Sequence, residues 1–264
     1  MIGKGRKLYA NYKNTNKKLS KQTAFNTINE IADNIDLFNQ IVKPQDPNCK
    51  HINKGINSLL IRIERTSMYS SIPFILAVLK EQKAGNLNDA DTITILNSLL
   101  VLLVRRKVCE LRTTKYDEFF PSLLSKIISE PDKAKAFKEQ ISKEALWVSD
   151  QEFKDAFVNK SLYKQTELEF VRLVLQEIDK KMQSHGQLPD YSSINTVEHV
   201  MPQTLDDEWK LYLGTEASDL NLERIKNSIG NLCLISKAAN SFVGQNPFEK
   251  KVSVQSVLSN GSTF

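Results

Sequence analysis

Five residues in the last third of the chain combine type and spacing in a way that supports chemistry: Glu198, His199, Pro202, Asn231 and Asn240. Only three histidines are present, His51, His185 and His199. A lone histidine is more often a turn or surface residue than a catalytic one. His199 differs from the other two in its setting. It follows an acid and precedes Val-Met-Pro-Gln, and a Gly-Asn-Leu-Cys-Leu-Ile run starts later, at Gly230. A neutral imidazole can take a proton from water near neutral pH. Carboxylate and carboxamide oxygens suit Mg2+, which keeps several of its own waters. Such an ion offsets charge on a scissile phosphate and on the leaving 3′ oxygen. A carbonyl near Asn231 can fix the orientation and tautomer of the ring. Together these are the requirements of phosphodiester hydrolysis.

The elements that must position these residues are legible from local pattern. Ser193 to Val200 alternates and is β-branched, which predicts a strand that carries Glu198 and His199 at its end. Met201-Pro202 breaks it. A loop with a helical patch over Asp206–Leu213 follows. Gly230-Asn-Leu-Cys-Leu-Ile-Ser predicts a second short strand after a glycine turn, and Lys237 to Val243 a short helix. The order is strand, long loop, strand, helix. One helical turn after the second strand carries Asn240 back over the strand pair. Glu198, His199 and Asn240 are therefore expected to converge on one metal-centred site.

Upstream, apolar spacing is helical through most of residues 20–185. Phe25, Ile28, Ile31, Ala32 and Ile35 recur at steps of three and four, as do Ile56, Leu59, Leu60 and Ile63. Pro73 suits a helix start. Asn86 to Asp91 caps a buried helix from Thr92 that ends at Arg105-Arg106-Lys107. Phe119 to Ser129 forms a short helix stopped before Pro131. Ser149-Asp-Gln-Glu is a capping box leading into Phe153–Val158. Thr166 opens a long amphipathic helix with Leu168, Val171, Val174, Leu175 and Ile178 on one face. Gly186 and Pro189 end that region. The expected architecture is mainly α: a helical domain over residues 1–188 and a small α+β domain over 189–264. Trp147 and Trp209 are expected in the core.

Composition narrows the class. The chain has 264 residues, 41% apolar and 25% charged, with Gly 9 and Pro 8. This is ordinary globular composition, neither fibrous nor low in complexity. Cys49, Cys109 and Cys233 form no CxxC pair, which argues against a disulfide framework or a cysteine-based zinc site. No apolar stretch is long enough to span a bilayer and no secretory signal is visible, so a cytoplasmic protein without membrane contact is expected. The net charge of +5 is uneven. Residues 1–189 hold 30 basic and 22 acidic residues (+8), and residues 190–264 hold 6 and 9 (−3). Seven Lys/Arg and no acid fall within the first 21 residues. That arm is either a solvated segment or a partner for a phosphate backbone.

Glu198-His-Val-Met-Pro-Gln together with Gly230-Asn-Leu-Cys-Leu-Ile-Ser-Lys-Ala-Ala-Asn240 resembles a ββα-metal (HNH, His-Me finger) nuclease motif. It is similar to the HNH domain of RNA-guided Cas nucleases in the His-x-x-Pro-Gln run and the nine-residue Asn-to-Asn step. The resemblance implies His199 as general base and Glu198 as a metal ligand. It implies Asn231 as the residue that orders the loop, and Asn240 as a catalytic-site metal ligand in place of a final histidine. Mg2+ or Mn2+ is the implied cofactor. Glu198 departs from the Asp or His found in many such enzymes.

A second resemblance covers nearly the whole chain. Thr196-Val-Glu-His-Val-Met-Pro-Gln-Thr-Leu, Trp209, Ile229-Gly-Asn-Leu-Cys-Leu, Asn240 and Asn246-Pro-Phe-Glu-Lys-Lys look like the C-terminal nuclease module of GmrSD-type modification-dependent restriction enzymes, and upstream Arg105-Arg-Lys-Val-Cys and Ser149-Asp-Gln-Glu-Phe resemble the helical part of the same module. SspE-like anti-phage proteins share that module. The resemblance implies a DNA endonuclease, nicking or cutting, in bacterial defence against phage DNA. It also implies an N-terminal ParB-like nucleotidase domain or subunit as partner, whose motifs this chain lacks.

Two alternatives stand beside this reading. The helical region can be a non-catalytic DNA- or protein-binding module on a nuclease-like scaffold, and an RNA target suits the same chemistry. Lys250 and Lys251 either contact phosphate or merely close a helix, and Lys237 is a further candidate phosphate contact. Arg105-Arg106 either answers a helix macrodipole or lines a DNA groove.

Overall fold

A computed structural model describes residues 20–48, 53–113, 115–183, 189–214, 222–244, 246, 248–249 and 251. The basic arm before Ser20, and also His51, His185, Gly186 and Lys250, lie outside the described residues. Among the described residues the chain is mainly α with one two-stranded sheet. Six helices come first: α1 (Lys21–Val42), α2 (Lys54–Glu64), α3 (Ile72–Lys83), α4 (Asp89–Val108), α5 (Tyr116–Ile127) and α6 (Lys133–Lys143). Next are α7 (Asp150–Asn159) and α8 (Leu168–Met182). Then come β1 (Ile194–His199), α9 (Asp207–Leu213), α10 (Leu222–Lys226), β2 (Leu232–Ser236) and α11 (Lys237–Val243).

The main core surrounds α4. Ile95, Leu96, Leu99, Leu102 and Leu103 are wholly buried there, against Ile56 and Leu60 of α2, Phe74 and Ile75 of α3, Phe120 of α5 and Phe137 of α6. A helix apolar over most of its circumference is a buried helix, and α4 is one. Its N-cap is Asn88, whose side chain accepts from the Asp91 amide at 2.8 Å. Its last turn carries Arg105, Arg106 and Lys107, charges that suit the negative end of the dipole. The two guanidinium groups also clasp the chain ahead of α7. Arg105 donates to the Val148 carbonyl (3.2 Å) and lies over the rings of Trp147 and Phe153. Arg106 donates to the carbonyls of Leu146 and Arg112.

Helix α7 starts with the expected capping box, Ser149 and Glu152 satisfying each other's backbone amides. Helix α8 joins the two halves. Its Phe170, Leu173 and Val174 pack with Val108 and Leu162, while Val171 and Leu175 pack on Leu232 with Val197 and Leu234 of the sheet. The position 188/189 falls between α8 and β1, and α8 itself forms the backing of the sheet.

Two helices escape the sequence pattern. In α6 only Ala136, Phe137 and Ile141 are buried, too few to mark a period, and α10 has just five residues. Helix α1 differs in another way. Its stripe of Phe25, Ile28, Ile31 and Ile35 is exposed, and Leu37, Gln40 and Ile41 make its buried contacts instead.

Candidate functional site

Strands β1 and β2 are antiparallel, with Val197 opposite Leu234, Glu198 opposite Cys233 and His199 opposite Leu232. Successive side chains on a strand take opposite faces. Val197, Leu232 and Leu234 face α8. His199 shares that face, its ring edge-on to Tyr163 with centroids 4.4 Å apart. Cys233 and Ile235 face α11, where Ala239 and Val243 cover them, so Glu198 lies on the α11 side. The two residues leave the end of β1 on different faces. They remain near enough for the charges of Glu198 and Lys251 to act on the imidazole.

The His199 ring is held by a residue that sequence patterning did not single out. Its Nε2 lies 3.3 Å from Asn227 Oδ1, and Gln203 Nε2 donates to the same oxygen at 3.1 Å. An oxygen that accepts from Gln203 also accepts from the imidazole, so Nε2 carries the hydrogen and Nδ1 keeps the lone pair. Asn227 is itself fixed by its main chain. Its carbonyl accepts from the amides of Leu162 and Tyr163 at 2.8 and 3.1 Å. Burial pushes the His199 pKa below its ordinary value, offset in part by Asn227 and Glu198 and reinforced by Lys251. A neutral ring near pH 7 follows.

Asn231 is buried at the start of β2 and uses both ends of its carboxamide. Oδ1 accepts from the Met201 amide at 2.7 Å, and Nδ2 donates to the carbonyls of Met201 and Lys226, both at 2.8 Å. Its own carbonyl accepts from the Val200 amide at 2.9 Å. These bonds pin the exit of β1 to the entry of β2 and set where His199 points. Met201, Trp209 and Leu222 form a small separate core under the same loop. Trp209 is thus a core residue, while Trp147 is only partly buried against the main core.

Glu198 is mostly enclosed and paired with Lys251. The Lys251 ammonium lies 2.7 Å from Glu198 Oε1 and donates to the His199 carbonyl at 2.9 Å. The two side chains are only 15% and 5% exposed, respectively. Lys251, a candidate phosphate contact by sequence, is therefore engaged inside the protein. Lys237 is exposed at the start of α11. Asn240 is half-buried on α11, which packs on both strands. Among the described residues no hydrogen bond joins its carboxamide to Glu198 or His199. Across the sheet from Glu198, burial and the Glu198 charge push the Cys233 thiol up to about 11.

Among the described residues no group of three His, Cys, Asp or Glu side chains is placed to hold a metal ion. A hard cation at this strand end would have the Glu198 carboxylate as its charged ligand, with Asn240 of α11 as the carboxamide that the sequence assigns to it. That donor set suits Mg2+. The Glu198 carboxylate holds a cationic group there already, the Lys251 ammonium.

Strand, pinned loop, strand and helix, with a histidine at the first strand's end, define a small ββα module backed by α8. Residues 147–260 match the family model of the C-terminal domain of GmrSD restriction endonucleases. The match begins just before α7 and takes in the sheet, the pinned loop and every candidate residue named above. No curated protein and no solved structure matches the chain.

Proposed function

We propose that this chain is a metal-dependent DNA endonuclease of the HNH type, the effector part of a larger restriction system that acts against phage DNA. The observation that carries the reading is the His199 arrangement within a GmrSD C-terminal module. A histidine ends β1, its Nε2 hydrogen is committed to Asn227, and its Nδ1 lone pair is left for water.

In this mechanism His199 Nδ1 takes a proton from a water molecule, whose oxygen attacks the phosphorus. The bond from phosphorus to the 3′ oxygen breaks, and that oxygen takes a proton from solvent. Asn227 holds the ring's tautomer and direction, and Asn231 holds the loop that carries it. Glu198 and Asn240 would hold Mg2+ or Mn2+, which when bound would offset charge on the phosphate and leaving group. Lys237 and Lys250 are proposed phosphate contacts. The partner is DNA, presented with the help of a ParB-like nucleotidase domain or subunit, and the setting is the cytoplasm. No helix among the described residues is long and apolar enough to cross a membrane.

Supercoiled plasmid incubated with the chain and Mg2+ or Mn2+ tests this. Open-circular or linear product that disappears with EDTA is expected. Salt-sensitive DNA binding with no cleavage, on modified or unmodified plasmid, contradicts it and favours a binding module on a nuclease scaffold.

A further inference from the structure

The Glu198–Lys251 pair has a consequence for how the site is loaded. A lysine with only 5% of its side chain exposed is costly to bury unless its charge is compensated. Here the compensating groups are the Glu198 carboxylate and the His199 carbonyl. Both belong to the end of β1, the strand end that carries the proposed base. The ammonium thus sits on the carboxylate that the proposed function assigns to a divalent ion. An ammonium and a divalent cation on one carboxylate repel each other strongly where water is scarce.

We propose that Lys251 is an internal cation that holds Glu198 until a divalent ion displaces it. The inference rests on the reading of Glu198 as a metal ligand. Without the ion, Lys251 neutralises the buried carboxylate and holds the His199 carbonyl. When the ion arrives, the ammonium leaves Oε1 and the carboxylate becomes a ligand. Glu198 thereby exchanges one cation for another and is never left uncompensated.

Mn2+ binding by the full chain, measured by electron paramagnetic resonance without DNA, tests this in wild type, Lys251→Met, Lys251→Arg and Glu198→Gln. Lys251→Met is expected to bind Mn2+ about tenfold or more tightly than wild type, and Lys251→Arg much as wild type does. Thermal melting provides a second readout. Lys251→Met should melt lower than wild type in EDTA and gain more from added Mn2+. If Lys251→Met does not fold, the Lys251 ammonium signal of the wild type, followed by NMR, is expected to lose its hydrogen-bonded character as Mg2+ is added. Equal or weaker Mn2+ binding by Lys251→Met, or an ammonium signal indifferent to Mg2+, overturns the displacement while Glu198→Gln still abolishes binding. Mn2+ binding unaffected by Glu198→Gln overturns the metal-ligand reading itself, and the displacement with it.

Discussion

The proposed chemistry turns on which groups touch the His199 ring. Removing the base in His199→Ala is expected to lower the cleavage rate by about 10²–10⁴-fold. Removing the orienting group in Asn227→Ala is expected to cost about 10–100-fold, with little change in melting temperature. The pH profile separates the two roles. Burial holds the His199 pKa below 6.5, so the base form persists at neutral pH and the acid limb of kcat/KM lies below pH 6.5. Asn227→Asp places a carboxylate on Nε2, which favours the imidazolium, so the acid limb moves to higher pH. The sign for stability is the same for any cationic group with a lowered folded pKa. The contribution is whole above pH 6.5 and is lost as pH falls through the folded value. His199 and Asn231 were legible in the sequence because a strand end and a Gly-Asn turn mark them locally. Asn227 was not. Lys226-Asn-Ser reads as an ordinary turn, and its partner depends on where a long loop returns. Lys251 was hidden for a similar reason. Adjacent lysines read either as phosphate contacts or as a helix end, and nothing local reports that one ammonium is enclosed.

The elements show what the loop and the sheet demand. The two-stranded sheet is too small to stand alone, and α8 supplies its backing through Val171 and Leu175. Leu175→Ala is expected to destabilise the chain by about 2–4 kcal/mol in denaturant titration. Asn231→Ala leaves the Met201 amide and two carbonyls without their partner, and about 2–4 kcal/mol of destabilisation is expected. Asn231→Asp keeps only the acceptor and sets a carboxylate against two carbonyls, so it is not a conservative replacement. Strand β1, helix α11 and the α7 capping box were readable because short-range pattern decides them. The bounds of α6 and α10 were not, because α6 buries only three residues and α10 is only five residues long. The α1 stripe teaches the converse: Phe25, Ile28, Ile31 and Ile35 have helical spacing, yet that face is exposed.

For the whole molecule, the charge imbalance divides the labour. Residues 190–264 carry the candidate site but a net negative charge, while the preceding 189 residues are net positive. Under the proposed function, electrostatic affinity for a phosphate backbone is expected from the helical part and chemistry from the ββα module behind α8. Plasmid binding is expected to weaken steeply with salt. The central claim, that this module cuts DNA with His199 as base, is tested most directly by supercoiled plasmid and Mg2+, with wild type beside His199→Ala. The account predicts that wild type converts the plasmid to open-circular or linear form and that His199→Ala, equally folded by circular dichroism, leaves it supercoiled. Equal conversion by both proteins would contradict it.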